Sequence, residues 1–162
     1  MFISDDKLCG GPNALSVDKG ATFVAHAANL YFEGLSFVNS YGVEKNDGPQ
    51  ALALNTENDR IVFNNVGMYS YQDTWVTTSK SNYRHYVKNS FIEGAVDFIY
   101  NSGDVYLDND TINIVRKSGG YIVAPSHQKD VKWGYVFMNN VITAPGVPSE
   151  TSVWLGRPWH NF

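Results

Sequence analysis

The chain has 162 residues, 43% of them hydrophobic, 14% aromatic and only 17% charged, which is the composition of one folded domain with a core of useful size. A net charge of −4 with scattered Lys and Arg argues against a nucleic-acid or anionic-membrane partner, since both need clustered basic residues. One cysteine, Cys9, excludes an internal disulfide and a cysteine-based metal site, and no apolar run approaches the roughly 18–20 residues of a transmembrane helix.

The N-terminal MFISDDKLCGG lacks the basic start and continuous apolar stretch of a signal peptide. Beyond it, apolar residues alternate or come in short Val-, Ile-, Phe- and Tyr-rich runs broken by Gly, Asn and Asp. This predicts strands and turns and almost no helix. Five segments share one template of apolar, any, Gly or Asn, any, any, apolar. They are FEGLSF (32–37), FNNVGM (63–68), VKNSFI (87–92), LDNDTI (107–112) and FMNNVI (137–142). Their starts lie 31, 24, 20 and 30 residues apart (63−32, 87−63, 107−87, 137−107).

The third template position holds Gly34, Asn65, Asn89, Asn109 and Asn139. Gly and Asn tolerate left-handed backbone best, so each repeat reads as strand, one-residue bend, strand. A helix-free unit of this length cannot bury its own apolar face, and stacking on its neighbours solves that. The expected fold is an all-β, single-stranded parallel β-solenoid with variable loops on one side; the competing reading is a β-sandwich with coincidental turns. The uncapped ends, SVWLGRPWHNF at the C-terminus among them, lead us to expect that residues 1–162 are a single domain truncated at both ends.

Polar residues in apolar surroundings mark a candidate site. In chain order they lie in GPQALAL (48–54), YQDTW (71–75) and GAVDFIY (94–100). Gln50 to Gln72 is 22 residues and Asp73 to Asp97 is 24, each about one coil. In a stacked solenoid such residues lie above one another at about 4.8 Å. Gln50, Gln72, Asp73 and Asp97 are therefore expected on one face. Two carboxylates that close are costly unless one is protonated or a cation intervenes, which is the arrangement of paired-carboxylate acid/base and nucleophilic chemistry. Singly, each Asp reads equally well as a turn residue satisfied by backbone N–H groups. LGRPW (155–159) supplies Arg157, able to grip a carboxylate bidentately, and Trp159, a flat face for a sugar ring or for core packing.

Minor features read as structural. Asn109-Asp110-Thr111 is a glycosylation sequon on a bend position. Gly119-Gly120 reads as a turn, and Tyr83, Tyr86, Phe98 and Tyr100 read either as lining a carbohydrate groove or, for about half of them, as facing the core. His26, His85, His127 and His160 lack metal-ligand spacing and read as turn or surface residues.

GPQALAL, YQDTW, VDFIY and LGRPW, in this order and at compatible spacing, resemble the pectin methylesterase (pectinesterase) family of carbohydrate esterases. The similarity spans roughly residue 18 to the end. It implies a right-handed, pectin-lyase-like parallel β-helix, with no cofactor and no metal. It implies Asp97 as nucleophile on a galacturonate methyl ester, and Asp73 as general acid and then base. Gln72 would donate to the oxyanion, Gln50 would assist there or bind substrate, Arg157 would orient Asp97, and Trp159 would line a sugar subsite. The partner implied is pectin (homogalacturonan), met by a monomer outside the cell, in the cell wall or in a periplasm.

The chain departs from the family pattern at Tyr100-Asn101-Ser102, where Phe-Gly-Asn is usual, at Trp75 in place of Leu, and at Val123-Ala124-Pro125 in place of Thr-Ala-Gln. Family members are roughly twice as long, so weak or no activity is expected of residues 1–162 alone. Two alternatives stand beside the esterase: a relative acting on another ester or thioester, and a non-catalytic carbohydrate-binding or structural solenoid. A lyase on a similar solenoid would need a calcium-binding carboxylate cluster and a basic catalytic residue, which the sequence does not display.

Overall fold

The computed structural model describes residues 1–4, 17–42 and 50–159. Cys9, Gly48, Pro49 and His160 lie outside the described residues. The chain enters with β1 (Phe2–Ser4) and the four-residue helix α1 (Val17–Gly20). A first coil follows, of β2 (Phe23–Ala25), β3 (Leu30–Glu33) and β4 (Ser36–Asn39). The second is β5 (Leu54–Thr56), β6 (Ile61–Asn64) and β7 (Gly67–Tyr69). The third is β8 (Trp75–Val76), β9 (Arg84–Lys88) and β10 (Phe91–Gly94). The fourth is β11 (Val96–Asn101), β12 (Asp104–Asp108) and β13 (Thr111–Ile114). The fifth is β14 (Gly120–Pro125), β15 (Tyr135–Met138) and β16 (Val141–Thr143), and β17 (Val153–Gly156) opens the next.

Every third strand pairs, always in parallel, into three sheets: β2-β5-β8-β11-β14-β17, β3-β6-β9-β12-β15 and β1-β4-β7-β10-β13-β16. The fold is the parallel β-helix expected from the repeat, right-handed as crossovers between parallel strands of one sheet overwhelmingly are.

The repeat sets the register residue for residue. The first template positions pair as Phe32↔Phe63, Phe63↔Val87, Val87↔Leu107 and Leu107↔Phe137. The sixth pair as Phe37↔Met68, Met68↔Ile92, Ile92↔Ile112 and Ile112↔Ile142. Both columns point inward. Phe37, Phe63, Met68, Val87, Ile92, Leu107 and Ile112 have no solvent exposure, and full burial of such side chains contributes about 1.5–3 kcal/mol each. Between the columns every bend is left-handed: Gly34 (φ 65°), Asn65 (55°), Asn89 (51°), Asn109 (59°) and Asn139 (56°).

The bends bond along the helix axis. Asn109 Nδ2 donates to Asn89 Oδ1 at 2.8 Å, so the sequon nitrogen already serves the ladder. A second ladder, which the template does not reveal, runs one residue further on. Val66 N–H donates to Ser90 Oγ (3.0 Å), Ser90 N–H to Asp110 Oδ1 (2.7 Å) and Asp110 N–H to Asn140 Oδ1 (2.6 Å). Each polar side chain there satisfies a backbone donor that the tight bend leaves without a strand partner.

The structure corrects three sequence expectations. His85 is neither turn nor surface: it sits in β9 at 3% exposure, edge-on to Trp75 at 5.8 Å, and burial holds its pKa down at about 4. Its Nε2–H donates to the Asn58 carbonyl at 3.1 Å, which lets the neutral ring stay inside. His127 does lie outside the strands, half-buried and edge-on against Tyr135 at 4.8 Å. Phe98 is core, with no exposure, rather than groove. Gly119 does turn (φ 77°), but Gly120 opens β14.

Candidate active site

The site lies on the outer face of the β2–β17 sheet, where two strands are interrupted. Gln50 and Gln72 precede β5 and β8 and form isolated parallel bridges, Gln50↔Gln72 and Gln72↔Val96. Residues one coil apart therefore stack as their spacing predicts, and Asp73 follows Gln72 as Asp97 follows Val96. Strict alternation would put Tyr71, Asp73 and Trp75 on one face. Asp73 breaks it with a left-handed φ of 60°. Trp75 goes inward, fully buried, its ring edge-on to Phe63 at 5.6 Å and its Nε1 donating to Thr56 Oγ1 at 3.0 Å. Tyr71 is buried too, at 3% exposure, while the Asp73 carboxyl meets the cleft.

Asp97 does the same one coil on. Its φ is 51°, and the β11–β14 pairing slips there, from Val96↔Tyr121 to Ile99↔Val123. Three residues on β11 thus oppose two on β14, a bulge of the kind that re-aims a side chain beside active sites. Asp tolerates this backbone better than most residues, and the strain persists because the neighbouring coils hold it.

A cleft of about 400 Å³ results, bounded by Gln50, Gln72, Asp73, Asp97, Arg157 and Trp159 together with Tyr100, Ala124 and Pro158. All six residues singled out in the sequence thus meet in one place. Arg157 grips Asp97 with both prongs, Nε to Oδ1 at 2.9 Å and Nη2 to Oδ2 at 2.6 Å. The LGRPW segment is pinned to β14 by Arg157 N–H to Val123 O (3.0 Å) and Trp159 N–H to Pro125 O (2.9 Å). Trp159 is 55% exposed, its ring 5.7 Å from that of Tyr100.

Asp73 is only 4% exposed. Burial, reinforced by the Asp97 charge, pushes its pKa up to about 8, against a hydrogen bond from Gln50 and the Arg157 charge. One carboxyl of the pair is thus held protonated at neutral pH while the other is bound to a cation. Such a pair can divide acid and nucleophile roles between two like residues. Among the described residues no group of three His, Cys, Asp or Glu is placed to hold a metal ion.

Sequence reasoning missed the supports of the bulge. A Cβ on Gly120 would lie 1.8 Å from the Ala95 carbonyl oxygen, and one on Gly94 2.2 Å from Phe98 Cβ. Gly120→Ala is expected to push the Ala95–Asp97 backbone outward, lowering stability by about 1–3 kcal/mol. Urea unfolding measures the loss, and an unchanged midpoint would show that the strands part without strain.

The pectinesterase family model matches residues 11–162. The chain is 33% identical over 149 residues to a pectinesterase of Ralstonia nicotianae, covering 86% of this chain and 38% of that protein. The pectin methylesterase from Yersinia enterocolitica superposes with a TM-score of 0.82 at 29% identity, over 99% of this chain and 56% of that one. A pectin methylesterase solved in complex with a hexasaccharide gives a TM-score of 0.80 at 28% identity, over 96% of this chain and 52% of that one. The chain spans between 38% and 56% of the length of these relatives.

Proposed function

The chain belongs to the pectinesterase family, and from that premise we propose that the whole protein hydrolyses methyl esters of polygalacturonate, with Asp97 as nucleophile and Asp73 as general acid and base. The observation that carries the reading is the divided pair: a buried carboxyl with its pKa near 8, one coil from a carboxylate gripped by Arg157.

The reaction runs in two halves. An Asp97 oxygen attacks the ester carbonyl carbon, and the displaced electron pair settles on the carbonyl oxygen. Gln72 donates to that oxyanion, a contact typically worth about 3 kcal/mol. The tetrahedral centre collapses, the bond to the methoxy oxygen breaks, and Asp73 gives that oxygen its proton, releasing methanol. Asp73, now ionised, takes a proton from water as the water oxygen attacks the galacturonyl carbon. Asp97 departs as a carboxylate and Asp73 is protonated again. The net change is ester plus water to acid plus methanol.

Arg157 orients the nucleophile through two parallel hydrogen bonds, one to each carboxylate oxygen. Gln50, bonded to Asp73, fixes the acid. Trp159, exposed and backed by the buried Tyr100 ring, offers an apolar face to a pyranose ring. Pectin is a wall polymer, so the proposed site of action is outside the cell.

The test is methanol release from highly methylated pectin by the whole protein, followed against pH. Asp73 must be protonated to serve as acid, so kcat/KM is expected to fall as pH rises through about 8. Pectin binding without methanol release at any pH would overturn the esterase reading in favour of a binding solenoid.

A further inference from the structure

Arg157 has one partner in the proposed mechanism and a second that the mechanism does not use. Its side chain is 49% exposed, whereas that of Asp97 is 16% exposed. Two parallel hydrogen bonds fix the guanidinium within its own plane. They do not stop that plane from tilting about the line joining the two donors. The tilt is met by Tyr121, whose ring centroid lies 4.5 Å from Arg157 Cζ, well inside the range in which a guanidinium stacks on an aromatic face. Tyr121 is itself firmly rooted, on β14 between Val96 of β11 and Trp154 of β17. The Arg157 backbone is tied to the same strand at Val123, and the Asp97 bulge is defined against it. One strand therefore references the carboxylate, the cation and the ring.

We propose that Tyr121 is a positioning residue, whose aromatic face sets the tilt of the Arg157 guanidinium and so the orientation of the Asp97 carboxylate. The proposal rests on the reading of Asp97 and Asp73 as the reacting pair. It assigns the role to the ring face, not to the phenol oxygen or to bulk alone, and that makes it separable from a packing role.

The whole protein is compared with Tyr121→Phe, Tyr121→Leu, Tyr121→Ala and Arg157→Gln. Tyr121→Phe keeps kcat on methylated pectin within about twofold, while Leu and Ala lower it roughly tenfold with KM within about twofold. In an Arg157→Gln background Tyr121→Ala has no further effect, because the ring then has nothing to hold. A loss that persists in that background, or one shared by Phe, overturns the proposal.

A second readout needs no substrate. The Arg157 charge draws the Asp73 midpoint down, so a guanidinium that swings away lets it rise. A carboxyl carbon-13 titration of Asp73 should move upward in Tyr121→Ala, in the direction of Arg157→Gln, and stay in place in Tyr121→Phe. If Arg157→Gln moves the midpoint and Tyr121→Ala does not, the positioning role falls. If the pattern holds in a protein that releases no methanol, the substrate assignment falls and the positioning role stands.

Discussion

Asp97→Ala is expected to abolish methanol release from methylated pectin while the protein stays folded, if its side chain forms the covalent bond as proposed. No neighbouring group can replace it, since Asp73 is buried and protonated at neutral pH and Gln50 and Gln72 are poor nucleophiles. Loss of a nucleophile typically lowers kcat by about 10³-fold or more. The structural consequences are small by comparison. Arg157 loses its carboxylate partner but is about half exposed, so the cation is solvated rather than stranded. Ala at a φ of 51° costs about 1 kcal/mol. Asp97→Asn controls for this, because Asn accepts left-handed backbone as readily as Asp does. Both variants should unfold near the wild-type midpoint and both should be inactive. A folded Asp97→Asn that retains a tenth of the wild-type kcat would remove Asp97 from the covalent step.

The fold was legible because the solenoid repeats its instructions. A one-residue left-handed bend admits only a few residue types, so Gly34, Asn65, Asn89, Asn109 and Asn139 mark it openly, and their neighbours give the register of the inner columns at each of the four steps. The site was legible for the same reason. Coil spacing placed Gln50 over Gln72 and Asp73 beside Asp97. What stayed hidden depends on single dihedrals and single contacts. The left-handed φ at Asp73 reverses which neighbours face inward, so Trp75 is core although its position two residues from the acid reads as cleft. Asp is common in ordinary turns, and nothing in its type announces a bulge. His85 shows the converse: its burial hangs on one carbonyl, that of Asn58, supplied by the coil before it. Gly120 reads only as half of a turn, and Tyr121 carries no pattern at all. Their importance comes from what β11 and Arg157 bring to them.

Asp73→Asn should separate stability from activity more sharply than any other change in the cleft. The unfolded chain ionises Asp73 near 3.8 and the folded chain near 8. Between these values the native state holds a proton that the unfolded state has lost, so wild-type stability declines as pH rises through the window and levels off above about 8. Asn carries no proton to lose. It fits a left-handed φ of 60°, and its carbonyl oxygen still accepts from Gln50. The variant should therefore match the wild type below about pH 4 and gain on it steadily through neutral pH, by on the order of 5 kcal/mol at pH 8. Over the same range kcat should be lower by about 10²–10⁴-fold, since the leaving methoxy oxygen has no acid to protonate it. Urea unfolding of both proteins at pH 4 and pH 8 measures the divergence. Parallel behaviour at the two pH values would mean that Asp73 is ionised in the folded protein. The cleft would then hold two anions and no acid, and departure of methanol would have to draw its proton from solvent.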